Sequence, residues 1–405
     1  MQRRRNMLRV IGGAWTVLPG AAGVALAATG APATAPLAAR SCTSPLTRRF
    51  ADPLLEASRL LRTAAEIEHA TLLQYLYSAF SLKDDYATVG EYDASGTTTN
   101  LLAIAIDRMT HFNTINRILV TVGAPPQLTP PDFPVATGVY PFAINLEPLS
   151  RVALAQFLFR DAPPNAFAAD SSDAALMEEV CRLLGIAQQH RAKLYAAIAA
   201  ALDDANHVAG SGLPDLARWA AALRQLDTRG NEDRFDFVKS VFLGAHPAFA
   251  GGGDVWNLPA DDPRFPAYDI VRGADACAAW PTRATQPTDD FMRLGDLQYG
   301  TTLLLLDLYF RQHLPIYRSL AVSHMIGPVQ ALGRHLPRLG VGMPFRAIEV
   351  PDSSGLDAQH RLRFVLALLK EGQELAEALR PLLPSRYPMA INQETAAALR
   401  AAALR

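Results

Sequence analysis

Residues 66–83 read EIEHATLLQYLYSAFSLK, and the reading of this stretch decides the fold. Placed on a helix, Leu61, Ala65, Glu68, Leu72, Tyr75 and Ala79 fall at three- and four-residue steps along one face. That face is apolar except for the carboxylate in its middle. A buried ionised carboxylate is costly unless it meets a metal, a cation or several donors, so Glu68 requires a partner from elsewhere in the chain. A structural ion pair and a metal ligand both meet that need. Glu66 differs: it stacks over Arg59 and Arg62, as an exposed ion-pair face does.

The seven-residue spacing from Glu68 to Tyr75 resembles the first helix of ferritin-like bundles, where a metal-binding Glu is followed two turns later by a Tyr. The local string is similar to the ferritin-like domain of the iminophenylpyruvate dimer synthase group, the VioB type. Two further stretches match in order, IAIDRMTHFNTINRILVTVGAPPQL at 104–128 and YPFAINLEPLS at 140–150. The resemblance covers about residue 55 to 202 and speaks to fold more than to activity. It implies a helical bundle that uses iron to activate oxygen or peroxide, or to couple an oxidised amino-acid-derived substrate. It also implies a flavin-dependent partner that supplies an imine.

The second helix reads from 98 to 123, stopped by Gly123 with Pro125 and Pro126 beyond. Ile104, His111, Ile115, Ile118 and Val122 form its stripe, with Asp107 one turn before His111. Ferritin-like sites place a Glu three residues ahead of the His, so that both reach one metal. Here that position is Arg108, which cannot ligate a cation and would repel one. Asp107 is the shorter-armed substitute; equally, Arg108 is a partner for Glu68 that closes the site with an ion pair. The third helix reads from 172 to 203, with Leu183, Ala187, His190, Leu194, Ala197 and Ala201 on its stripe. His190 is a hydrogen-bonded core residue or a ligand. The family's Glu on this helix aligns with Lys193, two before Tyr195, again a cation where a ligand stands. The resemblance thus gives Glu68, Asp107, His111 and His190 as metal ligands, with Tyr75 as a donor to them or a radical site.

At 405 residues and 50% hydrophobic content the chain can bury a large core, and its formal net charge of −1 argues against a nucleic-acid binder. Residues 1–35 carry Arg3, Arg4, Arg5 and Arg9 ahead of an Ala/Gly-rich apolar run from 10 to 28, the layout of an export signal. Arg4-Arg5-Asn6-Met7-Leu8-Arg9 resembles the twin-arginine type, with cleavage near Ala27; an uncleaved anchor is the alternative. The protein is then exported, periplasmic or extracellular, with no membrane contact beyond the signal. Residues 36–53 read as a linker. Cys42, Cys181 and Cys277 are too few for a disulfide framework or a cysteine metal cluster, and Cys181 sits on an apolar pattern.

Between the helices, 124–148 reads as an ordered, proline-rich loop and 150–160 as a short helix; 161–172 is polar and Ala-rich and reads as mobile. Residues 204–288 are a loop-rich insertion holding two short amphipathic helices, at 213–226 and 235–243. Its aromatics Trp256, Phe265, Tyr268 and Trp280 cap the core or line a pocket. Helical period returns at 289–313, the expected fourth core helix, and further helices reach 385. Asp296 and Asp307 are its nearest approach to ligands, but neither begins a Glu-x-x-His pair. The fold class is therefore all-α, a ferritin-like helical bundle with additional C-terminal helices. Two functions remain open. One is an iron-dependent oxidoreductase acting on a small-molecule substrate; the other is a non-catalytic helical domain in which Arg108 and Lys193 neutralise the old carboxylates.

Overall fold

The chain runs helix after helix, and the longest, α1 (Pro53–Phe80), is buried on nearly every side beyond Ile67. Its start follows from local chemistry. The Asp52 carboxylate accepts the amide of Leu55 and Pro53 takes the first helical position, where its missing N–H costs nothing. The structure is a computed structural model and describes residues 45–91, 99–187, 193–208, 215–228, 231–250, 253–271, 287–348 and 358–403. The stretch 1–35 read as an export signal, together with Cys42, His190, Cys277 and Trp280, lies outside the described residues. Among the described residues there is no strand beyond two isolated bridges, Leu82 with Ala267 and Val135 with Ile144.

Helix α2 (Leu101–Thr121) is capped by Asn100, whose side chain accepts the amide of Ala103, and it lies along α1. After the ordered loop, Ser150 caps α3 (Arg151–Asp161), all but the first turn of which is buried. The third helix expected at 172–203 is instead two. Helix α4 (Ala174–Leu184) ends on Gly185 at φ 63°, a left-handed cap that favours glycine, and α5 (Leu194–Val208) begins afresh. Helix α5 packs on α1 and on α6 (Leu216–Thr228), while α7 (Asn231–Phe242) covers α3. Trp256 and Phe249 are buried in the main core and Phe265 packs against it, so these insertion aromatics cap the core as the first of the two readings has it.

The C-terminal group centres on α8 (Thr288–Gln312), which packs chiefly on α9 (Pro315–His324) and α11 (Ala358–Leu379). Helix α9 passes through a wide turn at Met325–Val329, holding Pro328, into α10 (Gln330–His335), and α12 (Ile391–Ala403) closes the chain. Close contacts tie this group to α1. His69 shares a hydrogen bond with the Tyr299 hydroxyl, and the Phe80 ring lies so close to Gly333 that no side chain fits there. The same need for closeness holds at Gly295, where a Cβ would stand 2.8 Å from the Met343 sulfur. Residues Thr43–Arg405 form one compact unit, and no described helix is long and apolar enough to cross a membrane.

Candidate functional site

Four helices, α1, α2, α3 and α5, bring a set of charged and phenolic side chains together inside this core. Glu68 from α1 is 4% exposed, Arg108 and His111 from α2 are 5% and 2% exposed, and Asp161 at the end of α3 is wholly buried. Arg108 bridges the two carboxylates. Its Nη1 lies 3.3 Å from Glu68 Oε1, and its Nη2 donates to Asp161 Oδ1. The other Asp161 oxygen accepts from the Tyr75 hydroxyl at 2.7 Å, and Arg234 from α7 brings Nε to 3.5 Å of Oδ1. Tyr195 from α5 donates its hydroxyl to Glu68 Oε1.

Around this centre the polar groups continue to be matched. Tyr75 stacks on Phe157 at 4.0 Å between ring centroids, with the Arg160 guanidinium over its face. Arg160, 1% exposed, donates to Thr71 at 3.0 Å and to Gln74 at 2.7 Å. Asp107 stands at the rim with its side chain 43% exposed and pairs with Arg234.

The electrostatics follow from burial working against partners. Burial raises the Glu68 carboxyl, but the Arg108 charge, His111 and the Tyr195 hydroxyl outweigh it and hold the group at about 2. Burial likewise raises Asp161, while Arg108, Arg234, the Tyr75 hydroxyl and Arg160 together hold it at about 2. Burial, then the facing carboxylate, drives the Tyr75 and Tyr195 phenols far above their ordinary value. His69, next to Glu68 in sequence, is held down at about 3 by burial and stays neutral. The two buried carboxyls are therefore ionised and face cations.

The expected ligands are only partly assembled. Glu68 Oε2 and His111 Nδ1 face each other at 3.8 Å, and both are buried without a hydrogen-bond partner. The other nitrogen of the same ring, Nε2, faces Asp107 Oδ2 at 3.8 Å. One imidazole cannot present both nitrogens to one ion, so Asp107 and Glu68 do not share a metal through His111. His190 falls outside the described residues. Among the described residues no three His, Cys, Asp or Glu side chains are placed to hold a metal ion. The donor set does not fit a dinuclear iron centre, because a guanidinium stands between the two buried carboxylates that would bridge it.

Other expectations change with the structure. Lys193 is exposed and neutralises no buried carboxylate; Tyr195, two residues on, is the α5 side chain that reaches Glu68. Tyr75 serves Asp161, not Glu68. Arg59 pairs with Glu56 rather than Glu66, which stands exposed. The segment after α3, read as mobile, opens with the buried Asp161 and includes the buried Ala166 and Phe167. Asp161, Arg160 and Arg234 were missed. The signal for the first two was an Arg-Asp pair closing an otherwise apolar helix, RVALAQFLFRD; Arg234 carried none.

A separate cavity of about 610 Å³ opens where α2 and α8 end. Val120, Pro125, Pro126 and Phe310 give it apolar walls, and Arg311 and Arg361 a charged one. It shares no residue with the Glu68 network.

Comparison with protein families matches residues 61–217 to the family described as Ferritin-like. That span takes in α2, α3, α4 and α5 and most of α1, and the chain is similar to the family over these residues. The fold is an all-α, ferritin-like bundle. Comparison with curated proteins and with solved structures gives no match.

Proposed function

We propose that this is an exported ferritin-like protein whose central carboxylates are neutralised by a built-in guanidinium in place of a metal ion. On this reading it serves as a helical binding or structural domain, and the cavity at the ends of α2 and α8 is where a small molecule would bind. One observation carries the reading: the Arg108 guanidinium joins Glu68 to Asp161 with all three side chains buried. A cation brought there would meet a fixed positive charge and carboxylates already in use.

The second reading, an iron-dependent oxidoreductase related to iminophenylpyruvate dimer synthases, is favoured by the facing atoms Glu68 Oε2 and His111 Nδ1, both buried and unpartnered. Those two residues would hold the ion, and iron there would supply oxygen or peroxide activation.

Metal analysis separates the two. Protein purified without chelator, then offered iron(II), manganese(II) or zinc(II), should hold far less than one ion per chain and show no metal-dependent rise in melting temperature. One tightly held ion per chain, lost on Glu68→Gln, would establish the second reading and end the first.

A further inference from the structure

Beyond the turn that follows α10, residues 341–348 belong to no helix and lie against α8. Val341, Met343 and Phe345 are buried in alternation, the period of an extended segment laid on a core. Two glycines of α8 let it come close. A Cβ on Gly295 would stand 2.8 Å from the Met343 sulfur, and one on Gly300 would overlap the Ile348 side chain. Tyr299 lies between these glycines. The Phe345 ring meets the Tyr299 ring edge-on at 5.2 Å, and the Tyr299 hydroxyl shares its hydrogen bond with His69. Arg346 closes the arrangement on Asp296 of α8. Its backbone amide donates to Oδ1 at 3.0 Å, and Nε and Nη2 lie 2.7 and 2.6 Å from Oδ2.

Little backbone bonding holds this strap. Among the described residues, the amides of Val341 and Arg346 alone in the strap find acceptors, the Leu336 carbonyl and the Asp296 carboxylate. A segment held by side chains instead of a backbone ladder opens locally at less cost than a core helix. Phe345 sits at φ 51°, a left-handed conformation that is costly for a bulky side chain and that gathers at clamps and switches. The clasp is closely balanced as well. Burial of Asp296 outweighs Arg346 and its amide and lifts the carboxyl to about 6. Arg346 is the charged group that faces it; Arg293, one turn back on α8, turns to Glu371 of α11 at 3.8 Å. Closing the strap over an ionised Asp296 is therefore unfavourable in part, and protonation below about pH 6 relieves it.

We infer that residues 341–348 form a lid that lifts from α8 while the helices stay folded, with Arg346 and Asp296 as its clasp and Tyr299 beneath it. Lifting takes Phe345 off the Tyr299 ring and opens the Tyr299–His69 pair, one residue from Glu68, to small molecules. The lid acts at α8, so it stands whichever reading of the Glu68 core holds.

Met343, 1% exposed, reports the motion, because dilute hydrogen peroxide reaches its sulfur when the strap is off α8. Met177, buried in the main core on α4, reports global unfolding. The full chain is treated with peroxide, and the sulfoxide at each position is read by peptide mass spectrometry against free methionine in the same solution. At pH 7.5 Met343 should react at least about tenfold faster than Met177. At pH 5 the Met343 rate should fall by about five- to tenfold, since a protonated Asp296 favours the closed strap, and Asp296→Asn should remove that dependence. Arg346→Ala leaves Asp296 buried without its cation and should speed Met343 several-fold at pH 7.5. Gly300→Ala, which pushes on Ile348 from a residue that favours the helix, should do the same. Met177 should not respond to either variant. The inference is overturned if Met343 and Met177 react in step, if Arg346→Ala or Gly300→Ala leaves Met343 unchanged, or if the pH effect is absent or survives Asp296→Asn.

Discussion

Replacing Arg108 by glutamine removes the cation that Glu68 and Asp161 share. Both carboxylates are buried, so water does not take over its role. Breaking a buried pair from one side costs roughly 3–5 kcal/mol, and Arg108→Gln falls in that range because Glu68 loses its guanidinium while Asp161 keeps Arg234. Glu68→Gln is milder, about 1–3 kcal/mol, because Arg108 keeps its link to Asp161. At roughly 2 °C per kcal/mol for a chain of this size, Arg108→Gln should lower the melting temperature by about 6–10 °C. Adding Glu68→Gln to Arg108→Gln should recover about 1–3 kcal/mol, since one stranded charge is gone while Asp161 remains. The effect also carries a pH signature. In the native protein both carboxyls are held near 2, below their ordinary values, so their stabilisation is present above about pH 4 and lost as pH falls towards 2. Without Arg108, burial acts with less opposition and both carboxyls move up, so the folded state of the variant is relieved when they protonate. Urea unfolding at pH 7.5 and 5.5 should therefore show a smaller deficit for Arg108→Gln at the lower pH. A deficit under about 1 kcal/mol, one that ignores pH, or a double variant equal to the sum of the singles would refute the shared-cation account.

His324 is buried with Nδ1 at 2.9 Å from Gln298 and Nε2 at 3.0 Å from Thr395, and burial lowers it to about 4. A base lowered on folding gives full stability above its unfolded value of about 6.5 and loses it as pH falls through 4, so His324→Asn should flatten the stability curve between those limits, as read by urea unfolding. Gly333→Ala should cost about 1–3 kcal/mol by driving a methyl into the Phe80 ring, and Phe80→Leu in the same background should recover part of it in thermal melts.

The residues that were legible beforehand share a physical property: their place is set by helical period on a long, uninterrupted element. Glu68 and Tyr75 on α1, and Arg108 and His111 on α2, are buried where a three- and four-residue step puts them, and the ion pair between Glu68 and Arg108 was one of the two partners open to that glutamate. Where period was carried across a breaker, the reading failed. Gly185 ends α4, so the register from 172 could not be continued to 203, and Lys193 falls just ahead of α5 and exposed while Tyr195, two positions on, reaches Glu68. Asp161 was hidden for another reason. It closes a short helix just before a proline-rich turn, and a carboxylate there looks solvated until the opposite wall supplies Arg108 and Arg234. Partners separated by 53 residues or more leave no mark on local pattern.

The contacts from α1 into the last third of the chain bear on how the protein can be made. Phe80 needs Gly333, His69 needs Tyr299 and the Tyr77 hydroxyl donates to the Val271 carbonyl; from α3, Asp161 likewise waits for Arg234. As the polypeptide is synthesised, the first helices emerge long before these partners exist, and their apolar and charged faces stay open for most of translation. Closing such distant contacts is slow relative to local helix formation. The stretch that matches the family, 61–217, is therefore not a unit that can finish folding by itself. A fragment cut at 217 would leave Asp161 short of one cation and α1 bare along the side that meets α8 and α10.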